Sequence, residues 1–394
     1  LAKLKHVLLL IESSRAYGRD CLLGVADYLR AHGGWHVLNI ERGLSEQLPK
    51  AIARWKGDGV LARIENARIA AAIQAFGVPT VDLRGSYPPP GGAIFDSDHA
   101  AIGQMAAEHF LDVGFTKLAF CGFPGVGFSE QRGAAFCEHL SARDIKTHVY
   151  EPQNQRLMPT DVLGWEARGE FEGATIASWL KGLPRPLAVF ACNDIRGRQV
   201  IEACHQFGIA VPDEVAVVGV DDDEVICELS SPPLSSIRPN AQKLGFEGAA
   251  MLDGLMRGKK PPAAPILVPP AGISRRLSSD ALAIKDTDVA AAIRFIREHA
   301  CEGIGVPTLL QKLPLSRSSL ERRFKVAVGR TPTAEIERVR MERAKLLLAE
   351  TNNSLKNVAR LTGYGTASQF ATAFKRYAEM TPGQFRERNG RQSD

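Results

Sequence analysis

Two stretches decide the fold: Leu187-Ala-Val-Phe-Ala-Cys-Asn193-Asp194, and Val215-Ala-Val-Val-Gly219-Val-Asp221-Asp-Asp223. Each is a short, continuous apolar run that ends abruptly in an amide or in carboxylates. A run with no polar alternation is a strand buried on both faces, which is the signature of a parallel sheet. Between them lies an amphipathic helical stretch, residues 196–207, so the unit is strand, helix, strand. Ligands of such sheets bind beyond the carboxyl ends of the strands. Asn193, Asp194, Asp221 and Asp222 are therefore the first residues to examine.

Working outward, the same alternation runs from residue 5 to about 230. Strand-like runs fall at 6–11, 35–40, 59–62, 80–83 and 117–121, and helical stretches at 18–32, 67–76, 100–113, 131–142 and 173–181. A proline-rich stretch, 260–270, holds one more short strand, and after Thr287 the pattern is wholly helical. At 394 residues the chain exceeds the roughly 250 to 300 at which one core stops growing. The expected organisation is an α/β unit with doubly wound parallel sheets over residues 1–275, a linker over 276–287, and an all-α domain over 288–394.

The net charge of +5 is unevenly spread, for residues 285–394 carry 20 Lys and Arg against 12 Asp and Glu. A basic module on a slightly acidic body points to a polyanion partner for that module alone, the alternative being a solvated helical surface. Seven cysteines without a CxxC pair indicate reduced thiols and neither a zinc site nor a disulfide framework. His32 and His36 flank Gly33-Gly34 and share no helix face, so no metal is expected. The apolar run 6–11 is short and is ended by Glu12, which reads as a buried strand and not as a signal peptide. No apolar run approaches the ~20 residues of a membrane span. A cytoplasmic protein with no membrane partner is expected.

The helical quarter repeats one pattern. Residues 306–313 form a helix, Pro314-Leu-Ser316 a turn, and 316–325 a second helix capped by Ser316; a long helix follows over 332–350. Then 354–361, the turn Thr362-Gly-Tyr-Gly and 366–377 repeat the unit. Two helix-turn-helix units on a shared helix suit two successive major-groove faces, about 34 Å apart. Ser316…Leu320-Glu-Arg-Arg-Phe, Gly329-Arg-Thr-Pro332, Gly363-Tyr364…Phe370…Phe374-Lys375 and Thr381-Pro382…Phe385-Arg386 closely resemble the AraC/XylS-type DNA-binding domain. Base reading is expected from Arg317, Ser318 and Glu321 in the first recognition helix and from Thr366, Ala367, Ser368 and Gln369 in the second. Arg322, Arg323, Lys325, Lys375 and Arg376 are expected at phosphates, or else on a solvated helix face.

The two opening stretches, with Asp96-Ser-Asp98…Gly103…His109, Arg132…Phe136 and Pro232-Pro-Leu-Ser-Ser-Ile237, closely resemble the effector domain of LacI/GalR-type repressors, which are similar to periplasmic sugar-binding proteins. The sequence opens on a strand-like run, so a LacI-type helix-turn-helix is not expected ahead of the sensor. The fusion with an AraC-type C-terminus resembles the XylR-type xylose operon regulators, supported by Ser14-Arg-Ala-Tyr17-Gly-Arg19 and Leu267-Val-Pro-Pro270. That resemblance implies a two-lobed sensor that activates pentose genes when it binds D-xylose, operator DNA as a second partner, a homodimer, no cofactor and no enzymatic activity. Vicinal hydroxyls call for carboxylates, amides and guanidinium groups in a closable cleft, with an aromatic face for the C–H side. Arg132, Asn193 and Asp221 are the matching positions, joined by Asp98, Asp194 and Asp222 and, from the first loop, Ser14, Tyr17 and Arg19. Asp194 has an alternative use as a helix cap, and at least one of the three aspartates at 221–223 is expected to face solvent. The loop Gly122-Phe-Pro-Gly-Val-Gly127 lacks the third glycine of a dinucleotide fingerprint, since Glu130 stands there. An enzyme would need a nucleophile elbow, a metal cluster or a phosphate loop, none of which the sequence offers. A transport protein has no use for a basic helix-turn-helix pair.

Overall fold

The structure is a computed structural model that describes residues 4–44, 48–85, 87, 89–152, 161–280 and 286–389. The chain divides into two compact units, Leu1–Ala283 and Ile284–Asp394.

The first unit holds two sheets. In chain order its strands are β1 (Lys5–Leu10), β2 (Trp35–Asn39), β3 (Gly59–Ala62), β4 (Thr80–Asp82), β5 (Ala93–Ser97), β6 (Leu118–Cys121), β7 (Thr147–Val149), β8 (Leu187–Ala191), β9 (Val215–Val220), β10 (Ser235–Arg238), β11 (Ile266–Val268) and β12 (Gly272–Ser274). The first sheet runs β11-β5-β4-β3-β1-β2 and the second β12-β10-β9-β8-β6-β7. All pairings are parallel except β10 with β12. This is the doubly wound α/β architecture expected from the uninterrupted apolar runs.

The helices are α1 (Ala16–His32), α2 (Ala67–Gln74), α3 (His99–Asp112), α4 (Gly127–Ser141), α5 (Val162–Gly169), α6 (Gly173–Lys181), α7 (Asp194–Gln206), α8 (Glu224–Leu229) and α9 (Ala241–Met256). They cover both faces of each sheet, and the two-residue period of the strands decides which face each side chain meets. Val7 and Leu9 pack towards α1 and α9, whereas Leu8 and Leu10 pack towards α2. In the second lobe Phe190 and Val218 face α3 and α4, while Val189 and Val217 face α6 and α7. Helices α1 and α9 approach closely because glycines sit where their backbones meet. A Cβ on Gly24 would lie 1.9 Å from the Gln242 carbonyl oxygen, and one on Gly245 would lie 2.0 Å from that of Cys21.

The chain crosses between lobes three times: from β5 to α3, from β10 to α9, and from β11 to β12. The crossings are bonded together, for Asp98 N donates to Val268 O at 2.9 Å and Ala271 N to Arg238 O at 2.8 Å. They form a narrow, bonded waist between two rigid sheets.

The second unit is helical: α10 (Thr287–His299), α11 (Val306–Lys312), α12 (Arg317–Val328), α13 (Pro332–Glu350), α14 (Leu355–Leu361), α15 (Ala367–Ala378) and α16 (Pro382–Asn389). Ser316, Thr331, Ser354 and Thr366 each accept a bond from the backbone amide three residues on, capping α12, α13, α14 and α15. Leu320 and Phe324 of α12, and Phe370 and Phe374 of α15, are fully buried, which fixes each second helix against its first. No helix among the described residues is long and apolar enough to cross a membrane.

Strands β5, β7, β10 and β12 and helices α5, α8 and α9 are absent from the sequence reading. The strands are short, and β5 alternates buried with half-buried residues where the other runs are continuous.

Candidate functional site

The ends of β1, β3, β4 and β5 in the first lobe face those of β8 and β9 in the second across a cavity of about 390 Å³. Strand ends deliver Glu12, Arg63, Arg84 and Asp96 from one side and Asn193, Asp194 and Asp221 from the other. The starts of α1 and α4 add Tyr17, Phe128 and Arg132, and α5 adds Glu166.

Arg132 is the best-anchored donor. Its guanidinium is buried, gives a 2.5 Å bond to the Cys192 carbonyl and a 3.3 Å bond to His99 Nδ1, and lies over the Phe128 ring at 4.9 Å. Asp221 Oδ1 stands 3.7 Å from Arg132 Nη2, close enough for attraction and too far for a hydrogen bond. Burial lifts the Asp221 carboxyl from 3.8 to about 6, with Arg132 and Arg63 opposing.

Asn193 caps α7 by accepting from Arg196 N at 2.9 Å, and its amide donates to Glu166 Oε1 at 3.3 Å. Glu166 pairs with Arg15 of the opposite lobe, and its carboxyl is raised by burial against the pull of Arg15. Asp194 is fully buried beneath the turn that carries Asp221. It accepts from Ser236 Oγ at 2.5 Å and from Asp223 N at 2.8 Å, and burial together with nearby Asp221 raises its carboxyl well above the ordinary range. Gly219 makes room for it, since a Cβ there would lie 2.3 Å from Asp194 Oδ1. Asp194 thus holds the Asp221 turn in place, a role beyond either reading open in the sequence.

On the first-lobe side Arg63 pairs with Glu12 and lies 4.4 Å from the centre of the Tyr17 ring, whose hydroxyl shares a 2.8 Å bond with Ser97 Oγ. Arg84 lines the cavity; burial and then neighbouring Arg63 lower its pKa. Six carboxylates against four guanidinium groups line the cavity, so it favours a neutral, hydroxyl-rich guest over an anion.

Of the residues singled out in the sequence, Tyr17, Arg132, Asn193, Asp194 and Asp221 come together here, and four do not. Asp98 caps α3, accepting from Ala101 N at 2.8 Å, and its neighbour Asp96 takes the place in the lining. Asp222 adopts φ 51° and turns away to pair with Arg276. Ser14 is exposed outside the lining, and Arg19 is exposed, bonding the Ser13 carbonyl at 3.1 Å. Glu12, Arg63 and Arg84 follow strand-like runs directly and were legible by the strand-end rule. Glu166 carried no such signal, because helix α5 was not foreseen.

In the second unit Arg317, Ser318, Arg322, Lys325, Thr366, Ser368, Gln369, Lys375 and Arg376 are exposed, with Glu321 and Ala367 half-buried. Arg317 pairs with Glu321 at 3.0 Å along α12, and Arg376 pairs with Glu337. Such exposed pairs hold weakly. Arg323 is different: it grips Asp286 at 2.5 Å and Asp288 at 2.8 Å, fastening the start of α10 to α12. The expectation of a phosphate contact there meets a side chain already engaged within the unit.

Known proteins match along the whole chain. The XylR N-terminal domain family matches residues 6–92, the periplasmic binding protein-like domain 107–279, and a helix-turn-helix domain 309–388. The xylose operon regulatory protein of Escherichia coli (strain K12) is 32% identical over 395 residues, covering 98% of both chains. That of Haemophilus influenzae is 30% identical over 387 residues, covering 96% of this chain and 97% of the relative. The solved structure of the xylose-binding transcription activator XylR is 31% identical, superposes with a TM-score of 0.71, and covers 99% of both chains. Its helix-turn-helix unit, its two-lobed sensor and its full-length identity to these proteins agree: the chain belongs to the family of the xylose operon regulatory proteins.

Proposed function

We propose that this chain is a sugar-responsive transcription activator whose effector is D-xylose, and that it acts in the cytoplasm as a homodimer on operator DNA. The observation that carries the effector assignment is the Arg132–Asp221 pair, separated by 3.7 Å inside a net acidic cavity. One sugar hydroxyl accepts from the guanidinium and donates to the carboxylate. Asn193 and Glu166 serve a second hydroxyl from the same lobe, and Phe128 and Tyr17 offer apolar faces to the C–H side. The relatives named for the xylose operon support the choice of pentose.

The lobes contribute comparable numbers of polar groups, so a bound sugar favours the closed arrangement and shifts the sensor towards it. The bonded waist is the natural hinge, since few bonds cross between the two sheets there. Closure in a dimer changes how the two helical units are presented to DNA. Arg317 and Gln369 suit guanine and adenine edges, while Arg322, Lys325 and Lys375 neutralise phosphates. The test is a calorimetric titration of the full-length chain with D-xylose, beside its Asp221→Asn and Arg132→Gln variants. Heat from the parent and its loss in both variants support the reading; saturable binding that survives both variants sinks it.

A further inference from the structure

Asp222 connects the cavity to the segment with which the sensor ends. The turn leaving β9 holds Asp221 at φ 112° and Asp222 at φ 51°, conformations that non-glycine residues adopt at a cost and that a surrounding network must impose. Successive carboxylates are thereby thrown to opposite sides. Asp221 faces Arg132 in the cavity, and Asp222 Oδ1 accepts from Arg276 Nη1 at 2.7 Å while Oδ2 accepts from Ser274 Oγ at 2.6 Å. Beneath the turn, Ser236 Oγ donates to Asp194 and accepts from Asp222 N at 3.0 Å. Cavity and turn are one hydrogen-bonded body.

Arg276 stands in residues 274–280, the last described stretch before the helical unit. Its Nε donates to Glu228 at 2.7 Å and its Nη1 also reaches the Leu234 carbonyl at 3.2 Å. Beyond it, Ser278 and Ser279 are buried, which polar side chains tolerate only when they are hydrogen-bonded. Ser278 Oγ donates to Val217 O at 2.6 Å, on the strand that carries the Asp221 turn. Ser279 Oγ bonds Ser235 Oγ at 2.8 Å and His109 Nε2 at 3.0 Å. The strap 274–280 is thus held by short, directional bonds to the strands and the turn next to Asp221.

We propose that the Asp222–Arg276 pair is the link by which the occupied cavity repositions the strap 274–280. This rests on the reading of the cavity as a D-xylose site. When sugar hydroxyls draw the Asp221 carboxylate, the peptide between 221 and 222 turns with it. Asp222 then shifts against Arg276. Both are positioning residues, outside the cavity lining.

The experiment is amide hydrogen exchange of the full-length chain, with and without D-xylose, in the parent, Arg276→Gln and Asp222→Asn. Asparagine tolerates the left-handed conformation, so the second variant removes charge and keeps the turn. In the parent, D-xylose is expected to change exchange across 272–280 by about fivefold or more, the lower end of a typical coupling between sites. In both variants the sugar is expected to bind with about the parent's affinity and leave that exchange unchanged. Variants that respond like the parent, or that lose sugar binding while folded, overturn the link. A parent that binds D-xylose without any change at 272–280 overturns the link alone. A parent that binds no D-xylose overturns the sugar reading and the link with it.

Discussion

Arg132 and Asp221 face each other at 3.7 Å, one from α4 and the other from the end of β9, and the Arg132 guanidinium is also bonded to the Cys192 carbonyl and to His99. A guanidinium and a carboxylate placed this way suit one hydroxyl, which accepts from the first and donates to the second.

Asp221→Asn keeps the shape and removes the charge. A hydrogen bond to a charged group contributes about 1.5 to 3 kcal/mol, so D-xylose affinity is expected to fall roughly tenfold to over a hundredfold. Thermal stability without sugar should hold or rise, because a carboxylate raised by burial no longer has to ionise. Calorimetry and a melting curve on the same preparation check both.

Sugar affinity is also expected to fall in acid. Burial lifts Asp221 from 3.8 to about 6, so its contribution to folding is full below 3.8 and is lost as pH rises through about 6. A sugar hydroxyl donating to the carboxylate favours the ionised form and has the opposite dependence. Binding should weaken as pH drops from 7 to 5, by up to about tenfold at one unit below the pKa. In Asp221→Asn that part of the dependence should vanish, which isolates it from the neighbouring carboxyls of Glu166 and Asp194. Titrations at a series of pH values give the answer.

Gly219→Ala should act on the site from beneath. A Cβ there would lie 2.3 Å from Asp194 Oδ1, so Asp194 must leave its bonds to Ser236 and Asp223. Overpacking of this kind costs about 1 to 3 kcal/mol, and the displaced turn should lose D-xylose affinity as well. Urea unfolding measures the first effect and calorimetry the second.

On DNA, three of the four basic positions of α12 should separate. Arg322→Ala and Lys325→Ala are each expected to lower the salt slope of DNA binding by about one. Arg323→Ala should leave that slope unchanged and lower the melting temperature of the helical unit, because Asp286 and Asp288 lose their partner. Anisotropy of a labelled duplex over a salt series distinguishes the two behaviours.

The parallel sheets were legible because β1, β3, β8 and β9 are continuous apolar runs, which only a strand covered on both faces requires. The helix-turn-helix pair was legible from Ser316, which caps the first recognition helix, and from the recurrence of the pattern over 354–377; the caps at Ser354 and Thr366 came with the structure. The site was half legible. Strand ends pointed to Asn193 and Asp221, whereas Asp98 came from the family resemblance and proved to cap α3, with Asp96, two residues earlier, in the lining. The left-handed turn that sends Asp222 away from its neighbour follows from the Asp194 and Ser236 bonds beneath it. Those bonds join residues far apart in sequence. Glu166 depends on a helix whose apolar face is too short to stand out.

The most direct test is thermal unfolding of the full-length chain against D-xylose, L-arabinose, D-ribose, D-glucose and D-xylose 5-phosphate, in the parent and in Asp221→Asn. A ligand at a hundred times its Kd stabilises the native state by about 2.7 kcal/mol. The account predicts a concentration-dependent rise in Tm with D-xylose in the parent, a much smaller one in the variant, and none with the phosphate. A parent that responds to no sugar, or to the sugar phosphate in preference to D-xylose, would contradict it.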